Sequence, residues 1–195
     1  MSDIFKDRER GIEADYFRKQ DAKLLDKLRE RAALSEVAQA LAEKLKVDNA
    51  ELLRHIVELG ITRDTGAAAL LAPLVQVAWA EGQVSEAERN MVLSLAASRG
   101  IAPGSPAYAQ LEAWLKKRPS DELFATALEA MKDGLAVLTE AERDERIKYI
   151  VEAAHKVAEA SGGGLFKLLG LATGVSDNET AVLDAISRQL RTGGK

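Results

Sequence analysis

At the head of three long runs free of glycine and proline this chain places serine or threonine with glutamate three residues later: Ser85 with Glu88, Thr139 with Glu142, and Ser176 with Glu179. In such a capping box the hydroxyl accepts the N–H of the third helical residue, and the glutamate accepts the N–H of the cap. Each box predicts a helix start to within a residue. Ser105 before Pro106, and Ser120 after Pro119, add two more starts. Asp48 with Glu51 reads as a further capping pattern. Gly60, Gly82 and Gly100 supply the stops. No useful length of chain alternates with the period of a strand.

The punctuation predicts eight to ten helices and no sheet. They lie over about 4–31, 35–46, 48–60, 63–80, 85–100, 105–117, 120–137, 139–160 and 176–190. Hydrophobic residues make up 47% of the chain and aromatics only 5%, so the apolar share is mostly Ala and Leu, which are strong helix formers. Leu70, Leu71, Leu74, Val77 and Ala78 are expected to be buried, and Pro73 to bend the helix that carries them. That stretch, 66–80, falls short of the ~20 apolar residues a membrane span requires, so no transmembrane segment is predicted. Residues 1–10 are dense in charge of both signs, unlike an apolar signal segment, and the expected compartment is cytoplasmic.

Residues 4–31 are heavily charged, with a narrow apolar stripe of Phe5, Ile12, Tyr16, Phe17, Leu24, Leu25 and Leu28 at helical spacing. We therefore divide the chain into residues 1–60, a charged helical arm with its adjoining helices, and residues 61–195, a compact all-α domain. The domain contains an internal repeat. Residues 82–93 align with 173–184, matching Val84 to Val175, Ser85 to Ser176, Glu88 to Glu179 and Met91 to Val182. An offset of that length is too long for a solenoid and fits two related halves around one core.

Residues 77–88 (VAWAEGQVSEAE) resemble the signature of TerB-like, tellurite-resistance-associated domains, and 158–164 (AEASGGG) leading to 175–179 (VSDNE) resemble the closing part of that family. The acid of the first motif, usually aspartate, is Glu81 here, and Ala172 holds the equivalent place in the second half. The resemblance implies an all-helical domain of two halves and a role in stress response through protein interaction. Residues 5–13 (FKDRERGIE) with Tyr16 are similar in spacing to the opening of zeta-type inhibitors of the F-type ATPase, without the downstream basic stretch, and imply no inhibitor function.

Five acids, Glu81, Glu86, Glu88, Asp177 and Glu179, surround the two repeated motifs. One reading joins the two loops into a carboxylate site for a divalent cation, Ca2+ or Mg2+. The other assigns Glu88 and Glu179 to capping boxes and Glu86 and Asp177 to positive first turns. Glu81 fits neither capping role, because a carboxylate at a helix C-terminus is unfavourable by ~0.3–1 kcal/mol. Of two histidines, His155 follows Glu152 at the spacing of a di-iron ligand pair, but the second such pair is missing. His155 is expected on the surface, bonded to Glu152 or Glu159. With no cysteine, disulfides and thiolate zinc sites are excluded, and no nucleophile–base pair stands at informative spacing. A net charge of −4 argues against a nucleic-acid binder.

The functional expectation is a non-catalytic protein-interaction module. A cation-binding sensor is the alternative, and a helical enzyme or di-iron protein the second alternative. A protein partner is expected. The apolar segment 165–171 leaves peripheral membrane contact open.

Overall fold

The computed structural model of the chain describes residues 23, 36–43, 45–161 and 175–192. The predicted arm stripe, the glycines at 162–164 and the apolar segment 165–171 lie outside the described residues. The chain divides into two units, Met1–Val37 and Ala38–Lys195, and the fold below is that of the second. That division falls well before the boundary drawn at residue 60 from composition, because the helix Ala50–Glu58 buries Leu52, Leu53 and Ile56 within the second unit.

All regular structure among the described residues is helical. The order is α1 (residues 36–43 and 45), α2 (Ala50–Glu58), α3 (Gly66–Ala69), α4 (Ala72–Ala78), α5 (Glu86–Ser98), α6 (Pro106–Lys116), α7 (Asp121–Ala136), α8 (Glu140–Ser161) and α9 (Asp177–Arg191). Ser85, Ser105, Ser120 and Ser176 each accept the N–H three residues on, as the sequence predicts. The start of α2 differs by one residue. Asn49 is the cap, its Oδ1 accepting from Glu51 and Leu52 at 3.1 Å each, and Asp48 stays outside the helix. Asn and Asp are equally good caps, and the one that satisfies two open N–H groups takes the position.

The ends of α1, α2 and α5 follow one recipe. Gly60 and Gly100 adopt left-handed φ of +85° and +82°, donating to Val57 and Ala97, while Ile61 and Ile101 donate to Ile56 and Ala96. This is the paired-bond Schellman ending, and both isoleucines are buried against the helix they terminate. α1 ends likewise, Val47 donating to Ala42, but the left-handed residue is Lys46 at φ +58°.

Pro73 does more than bend its helix. It cannot donate to Ala69, and the predicted single helix is broken into α3 and α4, with Pro73 in the first turn of α4. The chain crosses the break through shorter-range bonds, Leu71 to Ala68 and Leu74 to Leu71. Leu71, Leu74, Val77 and Ala78 are buried as expected, but the change of phase turns Leu70 outward to 39% exposure.

The core is centred on α4. Six of its seven residues are buried, and it packs against α5, α6, α7, α8 and α9. A helix apolar all round belongs in an interior. Each fully buried Val or Leu contributes ~1.5–3 kcal/mol relative to exposure. α2 packs on α7, α3 on α6, and α8 on α5 and α9. Trp79, at the end of α4, donates its indole Nε1–H to the carbonyl of Trp114 at 2.8 Å and so ties α4 to α6.

Candidate functional site

The repeated motifs build two matching helix starts. Ser85 N donates to Glu88 Oε2 at 2.7 Å, and Glu88 N to Ser85 Oγ at 3.2 Å. In the second copy Ser176 N donates to Glu179 Oε2 at 2.8 Å, and Glu179 N to Ser176 Oγ at 3.2 Å. Both glutamates are buried, at 3% and 1% exposure. The third box has the same bonds in another setting. Thr139 N donates to Glu142 Oε2 at 3.0 Å, and Glu142 is exposed.

Setting decides the acidity. Burial pushes the Glu88 carboxyl above its ordinary value. The hydrogen bonds from Ser85 pull it back only in part, and the neighbouring charges of Glu179 and then Glu81 raise it further. Glu142, at the surface, is held below its ordinary value by its bonds to Thr139.

The five predicted acids therefore separate by depth. Glu88 and Glu179 are interior groups. Glu81 lies exposed in the turn after α4, where its charge acts on Glu88, while Glu86 and Asp177 are exposed in first turns and complement the helix dipoles. Among the described residues, no group of three or more Asp, Glu, His or Cys side chains is placed to hold a metal ion. Chemically, the Glu88 neighbourhood concentrates negative charge in a dry setting, which a proton or a cation relieves. Arg89, the cation adjacent to Glu88 in sequence, pairs with Glu112 across α5 and α6 at 2.9 Å.

The histidines are apart from this centre. His55 on α2 meets Glu122 on α7 at 3.2 Å and Glu58 at 3.7 Å. His155 is exposed, and its expected partner Glu152 lies instead 3.9 Å from Lys148.

A second feature comes from packing alone. Where the end of α1, the α3–α4 break, the α7–α8 turn and α8 converge, a groove of about 890 Å3 opens on the surface. Its apolar lining includes Leu71, Leu74, Met131 and Leu135. The large apolar side chains exposed among the described residues are Leu70, Val137 at 69% and Tyr149 at 52%, and all three line this groove. Lys46, Arg99, Arg146 and Glu145 carry its charge. Sequence reasoning missed it. Its local traces were Val137 and Leu138 ahead of a cap, and Tyr149 on a charged stretch of helix, none of which declares a surface until four segments meet. No helix among the described residues is long and apolar enough to cross a membrane. No protein-family model, curated protein or solved structure matches the chain.

Proposed function

We propose that the protein is a non-catalytic interaction module of the TerB-like, stress-response type, and that its groove is the surface it works through. One observation carries this: Leu70, Val137 and Tyr149, the large apolar side chains exposed among the described residues, converge on a single groove. Scattered apolar residues need no explanation, whereas a contiguous apolar patch rimmed by charge marks a docking surface. The resemblance of residues 77–88, and of 158–164 with 175–179, to TerB-like domains supports the tellurite- and stress-resistance setting. The test is a photo-crosslinking residue at Val137, with Thr180 on α9 as control, in native lysate. A discrete adduct from position 137 that Leu70→Lys removes is expected; no adduct, or the same adduct from position 180, ends the reading.

A second reading rests on the buried pair. Glu88 and Glu179 put two carboxylates into the interior, and the charges of Glu179 and Glu81 act on Glu88. No three such groups among the described residues are placed to hold an ion, so a divalent cation such as Ca2+ or Mg2+ would neutralise that charge with water completing its shell. A ligand at ~100 times its dissociation constant adds ~2.7 kcal/mol of stability. A melting temperature unmoved by millimolar cation or by chelator rejects it.

A further inference from the structure

We infer that the groove receives an amphipathic helix whose flanks are acidic. The inference rests on the docking role proposed above and adds the chemistry of the partner. The fold restricts the form of the partner first. The described residues of the domain offer no strand edge, so an extended peptide has no ladder to join, and an apolar trough between helices suits helix-in-groove packing. Met131 on the groove wall gives the trough an adaptable surface for side chains spaced at i, i+3, i+4 and i+7.

Charge complementarity restricts the partner further. Among the described residues that line the groove are three cations, Lys46, Arg99 and Arg146, and a single acid, Glu145, in a chain whose net charge is −4. None of the three cations forms an ion pair with a described carboxylate. Arg99 is held in place without one. Its guanidinium lies 4.9 Å from the centroid of the Tyr149 ring and its Nη1 donates to the Leu95 carbonyl at 3.2 Å. That leaves the rest of the fork pre-oriented for a carboxylate. Lys46 adds a separate observation. It occupies the left-handed position that Gly60 and Gly100 occupy in the same helix ending, so a cation stands at the rim where glycine would be the relaxed choice.

The test uses the full-length protein and fluorescent peptides of roughly 18 residues, five turns of helix. One carries Leu at i, i+3, i+4 and i+7 with Glu on the flanks. The others replace Glu by Lys, replace Glu by Gln, or scramble the acidic sequence. The acidic helix is expected to bind at least tenfold more tightly than the Lys and scrambled peptides. Its affinity should fall with added salt, and fall at least tenfold in Arg99→Glu/Arg146→Glu and in Val137→Asp. Lys46→Glu, at an exposed position outside any helix, repeats the charge test should the arginine variant fold poorly. Equal binding of the Glu, Gln and Lys peptides, all lost in Val137→Asp, would overturn the acidic partner while leaving the groove a docking site. No binding of any amphipathic peptide, with wild type and Val137→Asp alike, would remove both. Tighter binding to phosphatidylserine vesicles, or to a peptide of residues 1–31, or dimerisation abolished by Val137→Asp, would assign the groove elsewhere and overturn the proposal.

Discussion

Gly134, inside α7, approaches the end of α1 so closely that a Cβ built on it would lie 2.5 Å from the carbonyl oxygen of Leu45. Helix propensity alone favours alanine there by ~0.8–1.0 kcal/mol. The close approach reverses the sign, because the obstacle is backbone and not the end of a flexible side chain. Overpacking of this kind costs ~1–3 kcal/mol. Gly134→Ala should therefore lose a net of up to ~2 kcal/mol in a urea titration. A gain in stability would show that α1 moves aside without penalty.

The two buried boxes should be more sensitive than an ordinary cap. Ser120 accepts one backbone N–H, and Ser120→Ala should cost ~1 kcal/mol. Ser85 also stabilises the buried Glu88 carboxylate, so Ser85→Ala removes a cap and a partner of an interior acid together. We expect ~1–2 kcal/mol there, with the Glu88 carboxyl pushed higher still. Equal losses in both variants, measured by denaturant midpoints at neutral pH, would mean that the acid draws nothing from the serine hydroxyl.

Caps were legible in the sequence because they are local. Ser85, Ser105, Ser120, Thr139 and Ser176 each act within three residues of themselves, and every one begins its helix as read. Leu70 was misread for the opposite reason: the 3.6-residue phase was carried straight through Pro73, and the broken hydrogen bond at Ala69 resets it. Depth was invisible as well. Residues 85–88 (SEAE) and 139–142 (TEAE) differ only in serine against threonine, yet packing buries one acid and leaves the other in water. Gly134 is a poor helix former inside α7 on propensity alone, and its reason, the carbonyl of Leu45, lies far off in sequence. The groove is illegible on the same grounds, since Lys46, Leu70, Val137 and Tyr149 come from four separate segments.

Opposite pKa shifts in two similar boxes give opposite pH dependences. Glu88 has a folded pKa above its ordinary value of 4.5, so between 4.5 and that higher value the folded protein holds a proton that the unfolded chain has released. Stability must fall as pH rises through this window and stay lower above it. Glu142 has a folded pKa below 4.5, so its contribution is present above 4.5 and disappears as pH falls through the lower folded value. Denaturant midpoints from about pH 3 to 8 should show Glu88→Gln removing the loss on the neutral side and Glu142→Gln removing the loss on the acid side. A Glu88→Gln profile parallel to wild type would mean that the buried carboxyl titrates as it does in the unfolded chain.

Lys46 offers a test in which stability and binding should move apart. At φ +58° an L-residue carries a steric penalty of ~1–2 kcal/mol, and glycine relieves it at an entropic cost of ~0.5–1 kcal/mol. Lys46→Gly should therefore stabilise the protein by ~0.5–1 kcal/mol, leaving the Val47-to-Ala42 bond that ends α1 intact. The same change removes one of the three cations at the groove. An exposed charge pair contributes ~0.2–1 kcal/mol, so the acidic helical peptide should bind more weakly, by up to about fivefold. The Gln-flanked peptide should be unaffected, because its contact with the groove is apolar. If Lys46→Gly were more stable and bound the acidic peptide as tightly as wild type, the lysine would be a tolerated misfit and its charge would have no part in recognition. A loss of stability together with a loss of binding for all peptides would instead show the lysine stem packing on the groove wall. The outcome expected here, higher stability with weaker binding of the acidic peptide alone, is the signature of a strained residue kept for its charge.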